Sequence, residues 1–237
     1  MTNLQICRAL KCELLPNPSL GYFPSEFAAI CVISGRPSEW IGRCLFAVAL
    51  FVGVFAPALL ASDVAPSQPW RSSALSLESG ILWEVGSNTP FPYRMLQTQL
   101  SWRSSEVLGR ELPNGTRLLV RHRFTFIGTS IQQAPESRYV AFSASPSVEW
   151  WNRAGSTALA TSVGGGFGLI DSRGVKGGQG QNFTLNWFAR TGVERVISRT
   201  FRLNASVMFQ HLSNAGQTNP NPGIDVLGFM ISGSWSR

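Results

Sequence analysis

In the stretch Arg117-Leu118-Leu119-Val120-Arg121-His122-Arg123-Phe124-Thr125-Phe126, the side chains of Leu118, Val120, Phe124 and Phe126 share one side of an extended chain. Arg117, Arg121, Arg123 and Thr125 share the other. Alternation with a period of two marks a β-strand whose two faces meet different surroundings. Three arginines on one face of a strand require water or buried acidic partners. Two architectures accept such a strand. A soluble barrel of the lipocalin kind turns its apolar face inward, whereas an outer-membrane barrel turns it outward to lipid.

The same alternation recurs along the chain after Trp70. Residues 73–85 set Leu75, Leu77, Ile81 and Trp83 against Ser76, Glu78 and Glu84, and residues 95–103 set Leu96, Leu100 and Trp102 against Gln97, Gln99 and Arg103. Residues 139–151 oppose Val140, Phe142, Val148 and Trp150 to Ser143, Ser145, Ser147 and Glu149. The pattern is weaker in 157–170, around Gly164-Gly165-Gly166, and returns in 181–197, 201–213 and 225–237. Eight such segments and no convincing helix predict an all-β protein. Their lengths suit tilted strands that cross a bilayer in about 9–11 residues.

An even number of strands, apolar on one face, must close in lipid because an open edge leaves backbone groups unpaired. The arginines favour the membrane solution. Arg121, Arg123, Arg190 and Arg202 lie mid-segment opposite the apolar face, where Glu78, Glu84, Glu149 or Glu194 can pair with them inside a small barrel. We therefore expect an eight-stranded antiparallel transmembrane β-barrel of the bacterial outer membrane over residues 62–237. Both termini then lie on the periplasmic side, with short turns at 152–156 and 198–200 and longer outer loops at 171–180 and 214–224. The link at 104–116 is longer than this pattern asks.

Residues 1–61 read differently. Leu45–Ala61 is a nearly continuous apolar run after Arg36 and Arg43, closed by Pro57 and small alanines, as in a secretory signal peptide. An N-terminal anchor is the competing reading. Residues 1–35 fit no part of a signal and suggest an over-extended gene start. All four cysteines (Cys7, Cys12, Cys31, Cys44) precede the expected cleavage point, so the exported chain has no disulfide framework.

The 237-residue chain carries a net charge of +7. Beyond residue 61 its cations are arginines except for Lys176, and arginine suits phosphate and carboxylate partners. Their scatter, together with export, argues against nucleic acid. Membrane lipids are the expected surroundings, and a homodimer is left open. Two histidines and no late cysteine give no metal-ligand spacing, so no metal or cofactor is expected. Gly164-Gly165-Gly166 lacks the Lys-Ser/Thr of a phosphate loop and reads as permitting a bend or close packing under a bulky neighbour.

One cluster carries chemistry. His211-Leu212-Ser213 places an imidazole and a hydroxyl on one face of a strand, and Asp225 opens the corresponding face of the next segment. A serine hydrolase needs a base beside its nucleophile and an acid that orients the base. These residues continue the apolar, lipid-facing stripe Phe201, Leu203, Ala205, Val207 and Phe209 at its outer end. Two explanations fit the placement: a functional site in an expensive location, or polar residues past the hydrocarbon edge.

The segment His211-Leu212-Ser213-Asn214-Ala215-Gly216, followed by Asn219-Pro220-Asn221-Pro222-Gly223-Ile224-Asp225, resembles the lipid A 3-O-deacylase family of the PagL type. The resemblance is specific over about 209–231 and architectural before it. It implies an outer-membrane esterase acting on lipid A within lipopolysaccharide, with Ser213 as nucleophile, His211 as general base and Asp225 as the orienting acid. Asn214 is the implied oxyanion donor. Where the family commonly carries Glu, this chain has Asp225. A non-enzymatic adhesion or structural barrel, and a hydrolase of another acylated lipid, are the competing functions. His122 reads as an interfacial histidine. Arg94, Arg138, Arg173 and Lys176 read as solvated rim charges, with lipid A phosphates as the sharper alternative.

Overall fold

The computed structural model describes residues 68–86 and 88–236, so the expectations for residues 1–61 lie outside the described residues. The strands are β1 (Ala74–Glu84), β2 (Arg94–Arg103), β3 (Leu108–Glu111), β4 (Arg117–Gln132), β5 (Arg138–Trp151), β6 (Thr157–Ile170), β7 (Phe183–Val196), β8 (Phe201–Ser213) and β9 (Ile224–Ser236). Neighbours pair antiparallel. β9 returns to β1, and β2 pairs with β4, so eight long strands close into a barrel. Each coincides within about two residues with one of the eight alternating segments, the usual fuzziness of strand ends.

The long link at 104–116 is explained by β3. Arg103 pairs with Arg123, the Ser104 and Val107 N–H groups bond to the carbonyls of His122 and Val120, and β3 then pairs with Arg117–Val120. β2 and β3 thus form one interrupted edge along β4, and the link carries this ladder on to the first residues of β4.

The faces distinguish the two barrel types. Phe126 is 58% exposed and Ile231 63%, whereas Arg121 and Glu149 are wholly buried. A soluble protein does not ring itself with such a surface, and a lipid-facing barrel wall requires it. Aromatic rings continue around the outside, with Trp102 stacked on Phe124 and Phe124 on Phe142.

The lumen is filled in layers. In the middle, Arg103 bonds Glu149 at 3.0 Å and Glu194 at 2.6 Å, and Glu78 receives Arg123 and Arg190. Arg121 and Arg202 complete the network beside Glu149 and Glu194. Of the four acids expected to face the arginines, Glu84 does not. It lies nearer the outer end and accepts from Thr89 and the Tyr93 N–H.

At the end where β1 begins and β9 finishes, Trp70 packs on Trp151 with ring centroids 5.6 Å apart, and the carbonyls of Pro69 and Ser72 accept from Arg202 and Arg121. At the opposite end the lumen becomes apolar, with Leu82, Met95, Ile127, Met208, Leu212 and Met230 in one cluster. The sequence pattern does not separate faces there, because both are apolar.

The glycine run packs closely, against neighbouring strand backbone rather than under a bulky side chain. A Cβ on Gly164 would sit 2.4 Å from the Ala144 carbonyl oxygen, and one on Gly166 would sit closer still to that of Phe142. The β6 backbone therefore lies hard against β5, where no side chain fits.

Candidate active site

The β8–β9 register sets the site. His211 stands directly opposite Asp225, and Leu212 opposite Ile224. The buried side chains of β8 are Arg202, Asn204, Ser206, Met208, Gln210 and Leu212, so the odd-numbered residues, including His211 and Ser213, face outward. Asp225 faces the same way on β9. The structure therefore brings the three expected residues to one outward patch where β8 ends and β9 begins.

His211 Nδ1 lies 2.6 Å from Asp225 Oδ1. Short contact with a carboxylate fixes a ring's orientation and places a proton on the bonded nitrogen, leaving Nε2 to accept. On the β7 side, Trp187 pairs with His211 in the ladder, their ring centroids are 6.0 Å apart, and Trp187 also packs against Phe209 at 5.0 Å. The imidazole thus sits between a carboxylate and an apolar aromatic wall.

Ser213 ends the strand, and the chain turns by side-chain to backbone bonds. Its Oγ accepts the Ala215 N–H at 3.0 Å, and Asn214 Oδ1 accepts the Gly216 N–H at 3.0 Å. Hydroxyl and amide side chains build such turns readily. Ala215 and Gly216 both have positive φ. The loop then folds back so that Asn221 Nδ2 donates to Ser213 Oγ at 3.2 Å, while Asn221 Oδ1 accepts the Asn214 N–H at 2.9 Å. In this state Ser213 is held by Asn221 and Ala215 rather than by His211.

The Asn214 side chain turns away from the Ser213 hydroxyl. It follows the inward parity, is fully buried, and spends its Nδ2 hydrogens on the carbonyls of Thr218 at 2.7 Å and Pro220 at 3.4 Å. The physical reason is the turn: the residue after an outward serine on a strand points inward. Asn221 is the residue that sequence reasoning missed. Its signal was the Asn-Pro-Asn-Pro-Gly run, which constrains the loop to return to its own start.

Gly223 has φ of +70°, and a Cβ there would lie 3.1 Å from His211 Cε1. Glycine is required both by the backbone and by the imidazole beside it.

The outer loops are tied together. Buried Glu136 accepts from the Tyr93 hydroxyl and the Gln179 N–H, both at 2.7 Å, and the Gly180 N–H bonds the Pro220 carbonyl at 2.8 Å. At the rim, partial burial pushes the Asp171 carboxyl upward. The Ser137 hydroxyl, the Arg138 and Ser137 N–H groups and the Arg173 guanidinium outweigh this and hold it below the usual carboxylate range. Arg94, Arg138 and Lys176 are exposed, Arg173 pairs with Asp171 at 3.3 Å, and exposed His122 lies on β4, away from the β8–β9 site.

A search of curated proteins returned no match. Among solved structures, the chain is similar to the outer membrane enzyme PagL, at 16% identity and a TM-score of 0.46, covering 67% of this chain and 97% of that one. It is also similar to Neisserial surface protein A, at 11% identity and a TM-score of 0.45, covering 70% and 97%. A third is the attachment invasion locus protein Ail of Yersinia pestis, at 13% identity and a TM-score of 0.39, covering 70% and 95%. The family model described as lipid A 3-O-deacylase (PagL) matches residues 93–234, which include β2 to β8, most of β9 and the whole His211–Asp225 segment. With most of the barrel and the site inside that match, the chain belongs to the lipid A 3-O-deacylase (PagL) family.

Proposed function

We propose that this protein is an outer-membrane serine esterase that hydrolyses the 3-O-linked acyl chain of lipid A. The observation that carries the reading is the His211–Asp225 contact of 2.6 Å on the lipid-facing side, two residues from an outward serine. Alternate residues of a strand lie about 6.5–7 Å apart along one face, so a rotation of Ser213 brings its hydroxyl to the imidazole.

Ser213 Oγ attacks the ester carbonyl carbon while His211 Nε2 takes its proton, and Asp225 stabilises the imidazolium through Nδ1. The oxyanion develops beside the donors that now surround Oγ, Asn221 Nδ2 and the Ala215 N–H, and we assign both to it in place of Asn214. Collapse breaks the bond to the sugar oxygen, which takes the proton from His211. Water, deprotonated by the same base, then attacks the acyl-enzyme, releases the fatty acid and restores Ser213. Trp187 and Phe209 offer an apolar bed on which the acyl chain lies without leaving the membrane.

Release of a hydroxy fatty acid from purified lipid A by the reconstituted protein tests the reading. Turnover of a simple phospholipid ester with none of lipid A would reassign the substrate.

A further inference from the structure

The acid of the site is held from a direction that the β8–β9 ladder does not supply. Asp225 uses Oδ1 for His211, and its other oxygen, Oδ2, accepts a hydrogen bond from Asn88 Nδ2 at 3.2 Å. Asn88 belongs to the loop between β1 and β2, outside the span 93–234 that the family model matches. The loop is built to reach this point. The Val85 N–H bonds the Asp225 carbonyl at 3.0 Å, and Glu84 anchors the far side of the loop through Thr89 and the Tyr93 N–H. At Gly86 a Cβ would lie 3.3 Å from both Cβ and Oδ2 of Asp225, so a bare backbone lets the loop pass the carboxylate closely.

We propose that Asn88 is a positioning residue that orients Asp225 and, through it, the base His211. The inference rests on the triad reading above. Aspartate is one methylene shorter than glutamate and has only two side-chain torsions. For its Oδ1 to meet Nδ1 at 2.6 Å, the plane of the carboxylate must be set, and a donor on the second oxygen sets it. A hydrogen bond to a charged group is strong enough to choose one rotamer over others even where it is partly exposed. The amide is neutral, so it orients the carboxylate without competing with the imidazolium for its charge.

The test is kcat and KM for ester hydrolysis in mixed micelles of lipid A and detergent, for Asn88→Ala in the native background and in Asp225→Glu. In the native background kcat falls about tenfold, with KM within about twofold. In Asp225→Glu the longer side chain carries its carboxylate away from Asn88, and the same substitution costs less than about threefold. An equal fall in both backgrounds, a fall confined to KM, or no fall would overturn the proposal, because a merely structural loop residue behaves in one of those ways.

A readout independent of turnover is the downfield proton resonance of His211 Nδ1–H in micelles. It is expected to broaden or shift in Asn88→Ala, and an unchanged signal overturns the proposal. His211→Asn separates the two levels of inference. If that variant keeps its activity, the triad itself fails. If it is inactive while Asn88→Ala behaves as wild type, only the role of Asn88 fails.

Discussion

His211 and Asp225 form a directly opposed pair in the β8–β9 ladder, and their side chains meet at 2.6 Å. Strand register is therefore part of the proposed chemistry. A slip of one residue between these strands would turn one partner into the lumen.

The first prediction follows from this pairing. His211→Asn is expected to abolish turnover, and Asp225→Ala to lower kcat by about 10²–10⁴. Asp225→Glu retains activity because the longer acid still reaches Nδ1. The substitution His122→Asn, on the outer face of β4 and away from β8 and β9, leaves turnover unchanged. Initial rates on purified lipid A, with barrel folding followed by heat-modifiable gel mobility, check all four.

Gly223→Ala places a methyl group 3.1 Å from His211 Cε1 at a backbone φ of +70°. Displacing the base by a fraction of an ångström is expected to cost tenfold or more in kcat, because proton transfer is sensitive to its geometry. The β8 and β9 ladder is untouched, so gel mobility stays that of the folded barrel. A fully active Gly223→Ala would show that the imidazole tolerates the shift.

Arg103 bridges Glu149 and Glu194 in the sealed middle of the lumen. Arg103→Ala leaves two buried carboxylates short of their cation, and loss of one partner from such a cluster costs about 3–5 kcal/mol. The urea midpoint for unfolding from micelles is expected to fall accordingly, with the activity of the remaining folded fraction close to wild type. A midpoint equal to that of the wild type would mean that the neighbouring arginines fully take over.

The loop anchor at Asp171 gives a pH dependence. Its carboxyl is held below its usual range, so the folded loops gain stability that is present above the unfolded value, about 4, and is lost as pH falls through the lower folded value. The group is half-buried at the rim of the loops, where solvent still screens it, and the effect is correspondingly modest. Limited proteolysis at the 133–137 and 171–182 loops is expected to accelerate at the acid end of the range. Asp171→Asn should flatten that response, and an unchanged acid response in Asp171→Asn would remove Asp171 as its source.

The barrel was legible because its cause is local. Leu118, Val120, Phe124 and Phe126 alternate with arginines along one strand; the alternation separates the two faces, and the arginines, which need acidic partners inside, turn the apolar face to lipid. The pairing of Glu78, Glu149 and Glu194 with luminal arginines followed from the same parity, as did the outward placement of His211, Ser213 and Asp225. Contacts made only on closure were not legible. Trp70 meets Trp151, and Asn88 meets Asp225, across long intervals of sequence with no periodic signal in either partner. Asn214 and Asn221 were separable only once the turn after Ser213 fixed which amide faces the hydroxyl.

The most direct measurement is mass spectrometry of lipid A from cells that express the wild type or Ser213→Ala, with both proteins shown to be folded by gel mobility. We predict that lipid A from wild-type cells lacks one hydroxyacyl chain and that lipid A from Ser213→Ala cells keeps it. Identical spectra from the two, with the chain retained in both or lost in both, would contradict a lipid A 3-O-deacylase that acts through Ser213.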